Sequence, residues 1–435
     1  MKILFVHQNF PGQFVHLAPA LAADRGNEVV ALSMHKGAPS LWHGVKIFPY
    51  QATRGSCAEI HPWLADAEPK VIRGEAAMRM ALQLREQGFE PDVIIAHPGW
   101  GESLFLKHVW PKAKVGIYAE FFYHVRGADV GFDLEFSGNS IEQAAKVQLK
   151  NINNLLNMEL ADAAISPTHW QASTFPAAFR DRISVIHDGI NTNLVAPNPA
   201  VALSLGSGLT LTRDDEVITF VNRNLEPYRG YHIFMRALPQ ILTARPHAQI
   251  LLVGGDEVSY GAKSPDGQSW KDIFFNEIRP QLSESALKRI HFLGNIPYQH
   301  FIPLLQLSRV HVYLTYPFVL SWSLLEAMSA GCAIVASDTQ PLREAIRHNE
   351  TGRLVDFFDA PGLAKEVCDL LEQPGERARL GENARKFACE FYDLEKVCLP
   401  AQLEWVYSLA RDTQINKSGD ISAQSLVNTV VIELK

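Results

Sequence analysis

Two arginines in the stretch VNRNLEPYRGYHIF bracket a turn and precede a helical pattern, so Arg223 and Arg229 can set two guanidiniums beside one helix start. Forked, permanently charged donors at one place make a diphosphate clamp, and a solvated surface pair is the plain alternative. Further on, YPFVLSWSLLEAMSAGCAIVAS (316–337) holds a single carboxylate, Glu326, in an apolar run, where it needs a partner. Two partners are open to it. Ser323-x-x-Glu326 fits a capping box at a helix N-terminus, and the same carboxylate can accept two hydrogen bonds from the vicinal hydroxyls of a ribose. HPGWGE (97–102) follows the strand-like DVIIA, and EFFYH (120–124) follows VGIYA. His97 and Glu120 therefore fall at strand ends, where such a pair grips a sugar or assists proton transfer, although lone instances are usually structural. The loop HQNFPGQF (7–14) lacks GxGxxG, yet its one glycine, Gly12, can bring a backbone N–H to a phosphate or simply form a Pro-Gly turn. FDLEF (132–136) is a weak echo of an acidic metal-binding pair and reads as a solvated loop.

The elements that must position these groups alternate along the chain. KILFV, EVVALS, VKIFPY, DVIIAH, VGIYAE, AAISP and ISVIH read as strands in the first half, and VITFVN, QILLVGG, IHFLG, VHVYLT, CAIVAS and TGRLVD in the second. Helical patterns separate them, among them LAPALAADRG, stopped at Gly26, and YHIFMRALPQILTA. This is α/β organisation built twice, with parallel sheets covered by helices and a ligand cleft at the strand C-terminal ends. The Pro-, Gly- and Ser-rich stretch 194–216 reads as a linker between domains at 1–193 and 217–385, with C-terminal helices over 386–412 packing back on the first domain and a polar tail over 413–435.

Composition sets limits. A chain of 435 residues with 47% hydrophobic and 20% charged residues is ordinary globular material, and its net charge of −7, with neither half basic, argues against nucleic-acid partners. An anionic ligand must then be held by local groups. MKILFVHQNF reads as a strand rather than a secretory signal, and no apolar run reaches the roughly 18 residues of a membrane span. Five cysteines without a CxxC pair and histidines without HExxH spacing predict a reduced, cytoplasmic chain with no bound metal.

Taken together, these pieces resemble the retaining GT-B glycosyltransferases of family 4 over most of the chain, to about Arg411. SVIHDGINTNLVAP, NRNLEPYRG, LLVGGD, FLGNIP and LLEAMSAGCAIVASD stand in the order of the family's segments. The resemblance implies two Rossmann-like domains facing across a cleft and a nucleotide-diphosphate sugar as donor, UDP-sugar favoured and GDP-sugar possible, with no cofactor. It assigns Arg223 and Arg229 (where the family has lysine) to the diphosphate and Glu326 to the ribose. Asn295 and Ile296 of the GNIP loop fall to the base, Gly12 to the phosphates from the other domain, and His97 and Glu120 to the donor sugar.

One departure stands out. The family's E-x7-E motif begins with a glutamate that touches the donor sugar, and here that position is Phe318. Phenylalanine accepts no O–H bond, so the sugar would be held otherwise, with the N–H groups of Val319 and Leu320 in reach and a less polar sugar edge against the ring. Transfer with retention needs no enzyme nucleophile, and a glycosidase-type carboxylate pair is absent from the sequence. Two alternatives remain at this stage: a nucleotide-sugar 2-epimerase on the same fold, and a catalytically silent scaffold. The acceptor would be a saccharide, a lipid-linked sugar or a protein, met by the aromatic segment 121–139. Peripheral contact with the inner membrane face is compatible with that loop, while the mixed charges of 71–88 lend it little support.

Overall fold

The computed structural model describes residues 1–35, 37–136, 140–206 and 208–417, except for the side chains of residues 266 and 412–417. Residues 418–435, most of the expected tail, lie outside the described residues, as do 137–139 of the aromatic segment.

Every strand expected from the sequence forms. In the first half these are β1 (Lys2–Val6), β2 (Glu28–Ser33), β4 (Val45–Pro49), β5 (Val93–Ala96), β6 (Lys114–Tyr118), β7 (Ala163–Ser166) and β8 (Ile183–Val185). A two-residue strand, β3 (Leu41–Trp42), adds the edge of an eight-stranded sheet ordered β3-β4-β2-β1-β5-β6-β7-β8. All its pairings are parallel except β3 with β4. The apolar runs VIIA and ILFV are buried throughout because helices cover both faces.

The second half forms a six-stranded parallel sheet ordered β13-β12-β11-β14-β15-β16, from β11 (Val217–Asn224), β12 (Gln249–Gly255), β13 (Ile290–Gly294), β14 (Val310–Tyr313), β15 (Ala333–Ser337) and β16 (Arg353–Val355). Helices Tyr231–Ala244 and Ala360–Glu372 cover one face; Tyr298–Leu307, Trp322–Ser329 and Pro374–Phe391 cover the other. Between the sheets, the segment read as a linker contains an antiparallel hairpin of β9 (Ala202–Ser204) and β10 (Thr210–Thr212); Leu211 of β10 and Val201, just before β9, are buried in the second-half core. A Pro/Gly/Ser composition conceals so short a hairpin, since only alternate residues face the core.

The chain crosses between the halves twice, and the two crossings touch. Ile190 N–H donates to Tyr392 O at 2.8 Å and Leu394 N–H to Ile190 O at 2.9 Å. Gly189, at φ +92°, permits that approach, because a Cβ there would stand 2.8 Å from the Leu394 backbone. Beyond this crossing the helix Leu399–Lys417 lies on the first sheet, burying Trp405, Val406 and Leu409 against Phe5, Ile95 and Ile165. Each such side chain contributes about 1.5–3 kcal/mol of transfer free energy. Among the described residues no helix is long and apolar enough to cross a membrane.

Candidate functional site

In an open parallel sheet, ligands collect at strand C-terminal ends where the strand order reverses. The first sheet reverses between β1 and β5, whose following loops begin at His7 and His97; the second reverses between β11, which ends in Arg223 and Asn224 and leads to Arg229, and β14, followed by the Thr315–Leu320 loop.

At the first reversal, Gly12 takes φ +49°, and a Cβ there would come within 2.2 Å of His7 Nε2, so only glycine lets this loop fold over the imidazole. His7 Nδ1 accepts the Asn9 N–H at 3.0 Å, while its Nε2 is 2.9 Å from Gln13 Oε1 and donates to it. Gln13 in turn donates to Glu120 Oε1 at 3.1 Å. His97 is almost wholly buried, sandwiched between Trp100 and Tyr118 with centroids at 4.7 and 5.4 Å. Its Nδ1 accepts the Gly99 N–H at 3.1 Å, which leaves the neutral ring's proton on Nε2, facing Glu120 Oε2 at 3.6 Å. Burial, reinforced by neighbouring His97, pushes the His7 pKa down to about 4. Burial alone would raise Glu120, but the His97 and Gln13 contacts outweigh it and hold this carboxyl below its usual value.

At the second reversal a cavity of about 310 Å³ opens, lined by Arg223, Arg229, Asn295, Ile296, Tyr298 and Ser321 among others. Arg223 is exposed at its rim. Arg229 is 4% exposed, its Nη1 donating to Thr315 Oγ1 at 2.8 Å and to the Val319 carbonyl at 3.1 Å. The Tyr260 ring covers the guanidinium at 4.9 Å. That ring is placed by the buried Glu226 carboxylate, which accepts N–H bonds from Ser259 and Gly261 at 3.0 and 3.1 Å.

The capping-box reading of Glu326 does not hold. The helix Trp322–Ser329 begins after Ser321, which is its N-cap and accepts the Ser323 N–H through its own hydroxyl. Glu326 lies within the helix, 7% exposed, and accepts the Tyr298 hydroxyl at 2.6 Å. Burial raises its pKa, and the Tyr298 bond only partly opposes this. Tyr298, the second residue after Ile296 and the first of its helix, ties Glu326 to the cavity wall.

The structure thus gathers Arg223, Arg229, Asn295 and Ile296 around one cavity with Glu326 behind it, and Gly12, His97 and Glu120 at the opposing strand ends. Phe318, Val319 and Leu320 stand elsewhere. Phe318 is 5% exposed and packs on Phe121 of the first half at 4.9 Å, on Tyr228 at 5.1 Å and on Tyr260 at 5.1 Å. Val319 shares that cluster, and the Leu320 N–H donates to Gln171 Oε1 at 3.4 Å. These three residues join the halves rather than line the nucleotide-side cavity.

Sequence reasoning missed three connections. Tyr298 directly follows the GNIP loop and Gln13 lies within the 7–14 loop, so both were within reach. Asp188 was not: it accepts the Tyr118 hydroxyl at 2.9 Å from the first sheet and the Trp322 Nε1–H at 2.7 Å from the second half, a pairing no local pattern shows. Burial pushes its pKa up to about 7. The FDLEF segment also differs from the expected solvated loop. Asp133 is 3% exposed, accepts the Tyr316 hydroxyl at 2.7 Å and lies 3.0 Å from His232 Nε2. Glu135, whose carboxylate together with Asp133 and His232 forms a group of donor atoms within 4.8 Å, is held by Arg236 at 2.7 and 2.8 Å. Flanking aromatics drive this burial, Phe136 entering a pocket of Trp270 and Phe274.

Comparison with known proteins bears on the family and the fold. A model described as glycosyl transferase family 4 group matches residues 25–195, and one described as glycosyl transferases group 1 matches residues 209–387. The chain is 27% identical over 214 residues, 48% of either chain, to a D-inositol 3-phosphate glycosyltransferase of Corynebacterium efficiens. It is 29% identical over 184 residues, 40% of this chain and 42% of the other, to a phosphatidyl-myo-inositol mannosyltransferase of Mycolicibacterium smegmatis. The matched region thus spans about half the length of these curated relatives. Among solved structures, sucrose-phosphate synthase of Thermosynechococcus elongatus superposes with TM-score 0.70 at 18% identity, covering 94% of this chain and 100% of that one. The Anabaena protein HepE in complex with UDP and glucose superposes with TM-score 0.64 at 18% identity over the same shares. The shared architecture is GT-B.

Proposed function

Because this chain belongs to the family 4, group 1 glycosyltransferases, we propose that it moves a sugar from a nucleotide-diphosphate sugar, a UDP-sugar by preference, to an acceptor hydroxyl with retention of configuration. The observation that carries the proposal is the cavity in which Arg223 and Arg229 meet the Asn295–Ile296 loop, with buried Glu326 behind Tyr298. Donor and base sites of this kind need two positive charges at the diphosphate, a carboxylate for ribose hydroxyls and backbone groups for the base edge. All three kinds of group stand near the C-terminal ends of the strands of the second sheet, around or behind one cavity. The UDP held by HepE on the same architecture favours that donor.

In this reading the acceptor oxygen bonds to the anomeric carbon as the bond from that carbon to the diphosphate oxygen breaks. The electron pair leaves with the diphosphate, and the acceptor proton passes to a phosphate oxygen on the same face. Arg223 and Arg229 stabilise the negative charge that develops, through charge-assisted bonds already in place before reaction. Arg229 is fixed by Thr315 and Val319 and needs little reorganisation; Arg223 at the rim closes on the donor. The pair of His97, its Nε2–H turned toward Glu120, and the Glu120 carboxylate offers a donor and an acceptor to sugar hydroxyls from the opposing half.

Titration of the full chain with UDP, GDP, dTDP and CDP tests this reading, followed by turnover of the sugar nucleotide that binds. One nucleotide should bind to the native chain and much more weakly to Glu326→Gln. Failure of every nucleotide to bind would overturn the proposal and leave a catalytically silent scaffold, the reading that the Phe318–Phe121 packing between the halves favours. Donor turnover with no acceptor present, giving an epimer, would replace transfer by 2-epimerisation.

A further inference from the structure

The transfer reaction leaves the carboxylates of the FDLEF segment (132–136) unused. Two phenylalanines seat this segment of the first half on the second. Phe132 packs on Tyr316 and Phe357, both at 5.2 Å, and Phe136 packs on His232 at 5.0 Å and Trp270 at 5.2 Å. Between them, Asp133 and Glu135 meet His232 and Arg236, which stand four residues apart on one face of the helix Tyr231–Ala244.

One oxygen of each carboxylate and one nitrogen of His232 lie within 4.8 Å of one another. His232 is wholly buried, with Nε2 3.0 Å from Asp133 Oδ2, yet neither ring nitrogen has an aligned hydrogen-bond partner among the described residues. Burial without such a bond is costly, and a neutral imidazole aimed at two carboxylates is set up to serve as a nitrogen ligand. The charges point the same way. Arg236 is shared by Glu135, at 2.7 and 2.8 Å, and Glu277, at 2.6 and 3.1 Å. Among the described residues bonded here, Asp133, Glu135 and Glu277 set three negative charges against the one positive charge of Arg236, so a neutral imidazole leaves an excess of two. A divalent cation cancels that excess, and Arg236 keeps Glu277 when Glu135 turns from it to the ion.

We propose that Asp133, Glu135 and His232 bind one zinc ion, which ties the 132–136 segment of the first half to the helix Tyr231–Ala244 of the second. Two carboxylates and an imidazole suit zinc, with bonds of about 2.0–2.2 Å and water in the fourth position. Asp133 and His232 already converge, so exposed Glu135 makes the small inward turn that completes the set. The Tyr316 hydroxyl, donating to Asp133 at 2.7 Å, and the Glu135 N–H, donating to its Oδ1 at 3.0 Å, fix the buried carboxylate. None of the three ligands lines the nucleotide-side cavity, so the ion joins the halves and takes no part in the donor reading.

Zinc titration of the full chain, stripped with a chelator and followed by calorimetry without nucleotide, tests the site. The native chain should take up one zinc and melt later once loaded. Glu135→Gln, a change at an exposed position, should weaken zinc about tenfold or more with the metal-free Tm near native, and Asp133→Asn should weaken it likewise. Arg236→Gln is the reverse arm: it releases Glu135, so it should tighten zinc several-fold while lowering the metal-free Tm. An ion-pair network with no metal role predicts the fall in Tm and no change in zinc affinity. No saturable uptake by the native chain overturns the proposal, and so does a preference for Mg2+ over zinc, which an imidazole ligand disfavours. Affinity unmoved in Glu135→Gln, or not tightened in Arg236→Gln, assigns the zinc to other side chains and overturns it equally. These two variants decide even if Asp133→Asn fails to fold.

Discussion

The Tyr298 hydroxyl stands 2.6 Å from Glu326 Oε1, so the carboxylate behind the nucleotide-side cavity is closed off by a side chain that is itself half exposed. Glu326 is the only charge in its helix, and the Tyr298 hydroxyl is the one hydrogen-bond partner of its carboxylate among the described residues. A ribose must share the carboxylate with this phenol or displace it. Tyr298→Phe should therefore leave UDP binding within a few-fold of native, while Glu326→Gln should weaken it by roughly 1.5–3 kcal/mol, the worth of hydrogen bonds to a charged acceptor. Calorimetry on the two variants checks the pair. Equal losses in both would mean that Tyr298, not Glu326, meets the nucleotide.

The two arginines should separate by stability as well as by rate. Arg223 is exposed, and Arg223→Ala is expected to lower kcat by the equivalent of roughly 2–4 kcal/mol with Tm unmoved. Arg229→Ala should lose a similar amount of rate and also melt earlier, because it strands Thr315 Oγ1 and the Val319 carbonyl in a buried setting. Thermal denaturation beside initial rates distinguishes them, and an unchanged kcat in Arg223→Ala would remove that residue from the leaving-group site.

How much of this was legible in the sequence follows from the range of each interaction. Buried parallel strands announce themselves as apolar runs, so every expected strand is present and only the two-residue β3 and the β9–β10 hairpin escaped notice. Arg223, Arg229, Asn295 and Ile296 converge on one cavity because each sits at the C-terminal end of a strand of one sheet or on the loop after it, a rule of topology that needs no side-chain detail. Glu326 stood open between a capping box with Ser323 and the hydroxyls of a ribose, and the capping box fails because the helix begins from Ser321 instead. The Asp133–His232, Asp188–Trp322 and Phe318–Phe121 contacts join residues roughly a hundred or more apart across two halves, and nothing periodic encodes them.

Asp188 carries a pH signature with a definite sign. Its pKa, pushed up to about 7 by burial, means that between the ordinary carboxylate range and pH 7 the folded chain keeps a proton the unfolded chain has released. Its contribution to stability is therefore present at low pH, falls as pH rises toward about 7, and is level above it. Asp188→Asn should remove that slope, so the Tm difference between native and variant should shift in favour of the variant as pH rises from about 4 to about 7. A difference that stays constant with pH would show the carboxyl already ionised in the folded chain at pH 5.

His7 gives the opposite slope. Held neutral down to about pH 4, it makes the folded chain refuse a proton that the unfolded chain accepts below about 6.5, so its contribution is lost as pH falls through that window. His7→Gln, which can still bond Gln13, should flatten the acid limb of the stability profile. Gly12→Ala should destabilise at every pH, since its Cβ meets the ring regardless of charge. Denaturant midpoints at pH 4.5 and 7.5 separate the two effects, and a pH-dependent loss in Gly12→Ala would count against a steric cause.

Phe318 allows a substitution whose outcome distinguishes a lost ligand from a structural wall. The sequence resemblance implies a glutamate there, so if the position faced a donor sugar, Phe318→Glu would supply a hydroxyl acceptor and improve turnover. In this chain the ring lies 5.8 Å from the Arg229 guanidinium, within a cluster with Phe121 and Val319. A carboxylate placed there would pair with Arg229 and compete with the diphosphate, so UDP affinity is expected to fall by about tenfold, the scale of one charge-assisted bond. Phe318→Leu keeps the wall apolar and should hold UDP affinity near native while costing about 1–3 kcal/mol of stability from lost ring contacts. Measuring UDP binding and Tm for both variants decides the matter: a gain in turnover for Phe318→Glu would return this residue to the sugar, and the expected loss would place its role in the partition between the two halves.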